Sequence, residues 1–191
     1  MARTPIPAAG RTQAATLSLP QAIVLGGLVG GALDLLFAVV FGAVRGVAAG
    51  RVLQSVASGL LGRAAYDGGT ATALLGVACH FVLSLGWAAL LAAACVRIPR
   101  LLRHPAWTGI AFGALVFLAM RLVVLPLSAY PAPVAFRPLA STLDLASHLF
   151  LFGMPIALAL ARVRRFAGAS LRESPNPGAA AAGIHRKGTS R

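Results

Sequence analysis

Four stretches of this chain are each long and apolar enough to cross a bilayer, which limits what it can fold into more than any other feature. They are QAIVLGGLVGGALDLLFAVVFGAV, TATALLGVACHFVLSLGWAALLAAACV, AWTGIAFGALVFLAMRLVVLPLS and STLDLASHLFLFGMPIALALA, at about residues 21–44, 70–96, 106–128 and 141–161. A bilayer core needs about 20 apolar residues of helix, and lipid offers backbone amides no partner, so such runs must be helical. The expected fold class is an all-α integral membrane protein, with about four transmembrane helices in a bundle plus one short amphipathic interfacial helix. Arg3 and Arg11 before the first run mimic the start of a signal peptide. Its length and the presence of Asp34 argue for a span instead.

Charge supports the same class. The chain carries a net +13, yet only 11% of its residues are charged and 58% are hydrophobic. A nucleic-acid-binding surface gathers its cations on one face of a soluble fold. Here they fall between and after the apolar runs, so nucleic acid is not an expected partner and the lipid bilayer is. Counting Lys and Arg outside the spans gives twelve in the N-tail, second link and C-tail, against four (Arg45, Arg51, Arg63, Arg137) on the other side. The positive-inside tendency then puts both termini in the cytoplasm of a bacterial inner membrane.

The membrane domain is expected over 20–162, with disordered tails at 1–19 and 163–191 whose polar, Pro- and Gly-containing composition offers little to bury. Between the first two spans, residues 51–64 place Val52, Leu53, Val56, Ala57, Leu60, Leu61 and Ala64 on one helical face, opposite Arg51, Gln54, Ser55, Ser58 and Arg63. That pattern predicts a helix on the membrane surface or against the bundle. Cys79 and Cys95 lie in one span, about 24 Å apart along its axis, too far to bond to each other.

Five ionisable residues interrupt the spans: Asp34, His80, Arg121, Asp144 and His148. Each is costly in lipid, by about 2.5–3.5 kcal/mol at a helix centre for a charged residue, and so needs a partner or a purpose. Counted from the outer ends, four of them share a layer about 12–17 Å deep, with Asp144 a turn above. A buried polar or ion cluster is the expected site. Pro126 frees the carbonyl of Leu122 beside Arg121, and Pro155 bends the fourth span in the same way. GxxxG spacings at Gly26/Gly30, Gly27/Gly31, Gly42/Gly46 and Gly109/Gly113 predict tight helix packing.

Three roles are open to the cluster. The leading one is structural, in a non-enzymatic membrane scaffold or accessory protein. The alternative is a small transporter or proton- or ion-responsive protein that uses the same residues, working as an oligomer because four helices are few for a transporter. The third is a divalent-metal site of His80, Asp144 and His148, which Arg121 opposes by its charge. No catalytic motif is found, and no enzyme activity or cofactor is expected; a homo-oligomer or a membrane-protein partner is possible.

The runs RVLQSVASGLLGRAAYDGGTATALLGVACHF, RLVVLPLS and DLASHLFLFGMPIAL together resemble a group of small four-helix bacterial inner-membrane proteins, over about residues 20–162. More distantly, the layout is similar to the YagU family, on His80, Pro126, Leu127, Asp144 and His148, with a shorter connection after the first span. The resemblance implies the four-helix fold and the cluster, and no reaction.

Overall fold

The computed structural model describes residues 16–163. The expected tails at 1–19 and 163–191 therefore fall almost wholly outside the described residues. Helix α1 (Leu19–Val44) begins at a reciprocal cap, in which the Ser18 hydroxyl accepts from the Gln21 amide and the Gln21 side chain accepts from the Ser18 amide. Two amide donors are satisfied before the chain turns apolar. A tight turn through Gly46, whose φ of 75° suits glycine, leads to α2 (Ala49–Leu61). Then come α3 (Gly69–Arg97), α4 (Pro105–Leu127) and α5 (Pro138–Ala161). The four long helices hold 26, 29, 23 and 24 residues at mean hydropathies of 1.7–2.4, so each is long and apolar enough to span a membrane. The fold is an all-α membrane bundle.

Lateral order matters more for the site than helix count. Helix α1 packs against α3 on one side and α5 on the other, and α4 packs on α5, giving the row α3–α1–α5–α4. The GGLVGG stretch of α1 makes this possible, because its two interleaved glycine pairs serve different neighbours. Gly27 and Gly31 lie against Leu85 and Ser84 of α3, while Gly26 and Gly30 lie against Ile156 and Phe152 of α5. On α4, Gly109 and Gly113 meet the backbone of α5 at Met154 and at His148–Leu149. Helix association in lipid has little hydrophobic driving force, so close backbone approach takes its place. The Leu17 amide donates to the Arg162 carbonyl at 3.0 Å, bringing both ends of the described chain to one end of the bundle with the α3–α4 link. Arg97, Arg100, Arg103 and Arg162 lie at this end with no acidic residue among the described ones, whereas the opposite end holds Arg45, Arg51, Arg63 and Arg137 with Asp67.

Helix α2 lies against α3, one of the two placements its pattern predicts, and its buried stripe straddles the boundary between the apolar and polar faces. Gln54, Ala57 and Ser58 are buried, whereas Leu60 and Leu61 are exposed. Gln54 and Ser58 turn inward beside Ala57, while Arg51 and Arg63 stay exposed, and Gln54 has partners on α3. The Gln54 amide donates to the Gly69 carbonyl at 2.9 Å, at the first turn of α3, and Gly76 brings the α3 backbone onto the Leu53 carbonyl. Leu60 and Leu61, left outward near the end of α2, suit contact with acyl chains.

Candidate functional site

Two prolines shape the site. Pro126 and Pro155 each lack an amide hydrogen and crowd the carbonyl four residues earlier, and each follows a widened π turn, Met120–Val124 in α4 and Ser147–Gly153 in α5. The Leu125 amide reaches back five residues to Met120, and the Met154 amide reaches back five to Leu149. Arg121 sits in the first π turn, and Ser147 and His148 open the second.

The side chains then meet across α1, α4 and α5. Arg121 donates from Nη2 to Asp144 Oδ2 at 2.9 Å and from Nη1 to the Ala135 carbonyl at 3.0 Å. Its guanidinium carbon lies 5.1 Å from the Phe117 ring centre and 5.2 Å from that of Phe136, so two aromatic faces cover the cation. Asp34 Oδ1 accepts from the Ser147 hydroxyl at 2.6 Å. His148 Nδ1 donates to the Asp144 backbone carbonyl at 2.9 Å, which fixes the proton on that nitrogen. The same nitrogen is 3.4 Å from Asp144 Oδ1 and 3.7 Å from Asp34 Oδ1, so one imidazole stands between two carboxylates. With that imidazole neutral the formal charge of the site is −1, and with it protonated the charge is zero.

His80 stands apart. Its Nε2 pairs with the Gly31 carbonyl at 2.8 Å, one turn along α1 from Asp34, and Ser84 donates to the Gly27 carbonyl at 2.6 Å. Both bonds tie α3 to α1, on the opposite side of α1 from α5. The suggested metal set of His80, Asp144 and His148 is not gathered. Among the described residues no group of three or more His, Cys, Asp and Glu side chains could hold a metal ion.

Four of the five ionisable residues, Asp34, Arg121, Asp144 and His148, are thus brought together. Three contributors are absent from the sequence-derived set: Ser147, which takes the carboxylate of Asp34, and Phe117 and Phe136, which flank Arg121. Ser147 lies three residues beyond Asp144, on the same helical face, and a scan for hydroxyls as well as charges would have included it. Aromatic cover for Arg121 is signalled at Phe117, one turn before it; Phe136 comes from the loop, where no periodicity points to it. Comparison of the chain with protein families, with curated proteins and with solved structures finds no match.

Proposed function

We propose that this chain is a non-enzymatic scaffold or accessory protein of a bacterial inner membrane, with both termini cytoplasmic, in which Asp34, Arg121, Asp144, Ser147 and His148 act as a packing lock. The observation that carries this is the complementarity of the pairs. Each carboxylate has a hydrogen-bond donor on a neighbouring helix, Arg121 for Asp144 and Ser147 for Asp34, so the polar groups join α1, α4 and α5 to one another. Part-buried polar groups paired across helices favour one arrangement of those helices, and among the described residues Arg121 Nε is the cluster atom left buried without a partner. The resemblance of the sequence to small four-helix inner-membrane proteins, and more distantly to the YagU family, is part of this proposal and rests on the sequence alone.

A second role, proton or ion uptake, draws on the imidazole held between two carboxylates and on a depression of about 320 Å³ beside Phe117 and Phe136, lined also by Ser141 and Thr142. Flux separates the two. In liposomes holding the purified protein, proton movement is expected to match protein-free vesicles, and Asp34→Asn is expected to lower the thermal midpoint. Flux above that background, lost in a folded Asp34→Asn variant, would replace the lock with an ion path.

Orientation is tested by reporters active only outside the cytoplasm. Fusions after Asp67 and after Ser128 are expected to be active and one after Arg103 silent. The reverse pattern would overturn the cytoplasmic assignment of the termini.

A further inference from the structure

A cleft opens between α3 and α4, at the end of the bundle that holds the link joining them. These helices follow one another in the chain, yet they are the two outer members of the row α3–α1–α5–α4 and do not pack along their length. Trp87 meets Phe112 edge-on at 6.4 Å between ring centres and props them apart. The space left is about 580 Å³, with walls that include Leu90, Ala111 and Leu115 and a mouth formed by Arg100, His104 and Trp107. The space is an open groove with almost wholly apolar walls.

The mouth is held in place by the link. Pro99 and Pro105 bracket the 3₁₀ turn Pro99–Arg103, Leu102 is buried beneath it, and the Thr108 hydroxyl donates to the Leu101 carbonyl. The link thereby brings Arg100 and His104, both exposed, to the edge of an apolar slot, and Trp107, 72% exposed, stands beside them where α4 begins. None of the three aspartates among the described residues lies at this end: Asp67 precedes α3 at the opposite end, and Asp34 and Asp144 belong to the polar site.

We propose that this cleft binds an anionic phospholipid, with an acyl chain in the slot, the phosphate on Arg100 with His104 beside it, and Trp107 at headgroup level. Basic pockets between spanning helices suit anionic headgroups, guanidinium pairs with phosphate oxygens in a fixed fork, and Trp favours the membrane interface. Charge complementarity selects the headgroup, and the apolar walls select lipid over a free anion. The site is separate from the polar cluster, and its occupancy is independent of whether that cluster is a lock or an ion path.

The test is thermal denaturation of the full chain in detergent, titrated with phosphatidylglycerol, with phosphatidylcholine of the same acyl chains, and with inorganic phosphate. Phosphatidylglycerol is expected to raise the midpoint more than phosphatidylcholine, and inorganic phosphate to leave it unchanged. Arg100→Gln is expected to require about five-fold more phosphatidylglycerol for the same shift, the worth of one surface cation. Ala111→Phe, which fills the slot from an exposed position, is expected to abolish the preference. Equal shifts by the two lipids, a preference retained unchanged in either variant, or a shift reproduced by inorganic phosphate would each overturn the site.

Discussion

Gly113→Ala is expected to lower the stability of the detergent-purified protein by about 3 kcal/mol, the upper end of what overpacking costs, whereas Gly86→Ala leaves it unchanged or raises it slightly. Both glycines lie inside long helices, where alanine is intrinsically favoured by about 0.5–1 kcal/mol. They differ in what a methyl group would meet. At Gly113 it would overlap the His148 carbonyl oxygen and lie 2.7 Å from the Leu149 Cα, both backbone atoms of α5 that cannot rotate away. At Gly86 nothing lies within 4 Å. Helix α5 must therefore shift in the first variant, and the carbonyl struck belongs to the residue whose imidazole stands between Asp34 and Asp144. Thermal denaturation of the two variants beside wild type reads the difference. Equal, small shifts would mean that α4 and α5 do not approach as closely as the glycine seam requires.

What the sequence disclosed, and what it withheld, follows from the dimensions each signal encodes. Hydropathy and length reveal where a helix crosses lipid, because a bilayer imposes one thickness on every span. The cost of burying charge marks Asp34, Arg121, Asp144 and His148 for the same reason, and counting residues from the helix ends assigns them a common depth. Depth is a single coordinate. His80 shares it with Asp34 yet turns to the Gly31 carbonyl, because α1 stands between α3 and α5 and keeps the two histidines on opposite sides. Nothing in the apolar runs encodes that lateral order directly. The doubled pairs in GGLVGG hint that α1 has two close neighbours, without saying which.

Local regularity fails at informative places too. The π turns before Pro126 and Pro155 shift the angular position of every residue beyond them, so helical-wheel reasoning that starts in one half of α4 or α5 misplaces the other half. The orientation of α2 is hidden for a different reason. Amphipathic patterning identifies two faces and says nothing of which is solvated, and in lipid a polar side chain such as Gln54 turns inside when a carbonyl such as that of Gly69 awaits it.

Arg121 and Asp144 are expected to behave as a coupled pair in a double-mutant cycle. Arg121→Gln should cost about 2 kcal/mol, between the costs for exposed and for buried ion pairs, because it leaves two carboxylates with His148 as their remaining candidate counter-ion. The figure falls below the buried range because 36% of the Asp144 side chain is exposed, which weakens the penalty for leaving it unpaired. Asp144→Asn should cost less, since Arg121 keeps the Ala135 carbonyl and both aromatic faces. The double variant should resemble Arg121→Gln alone, with a coupling energy of about 1–2 kcal/mol, within the range for residues that share a hydrogen bond. Chemical or thermal denaturation of all four proteins measures it. Additive losses would mean that Arg121 and Asp144 contribute through partners other than each other, and the ion pair between them would not be what joins α4 to α5.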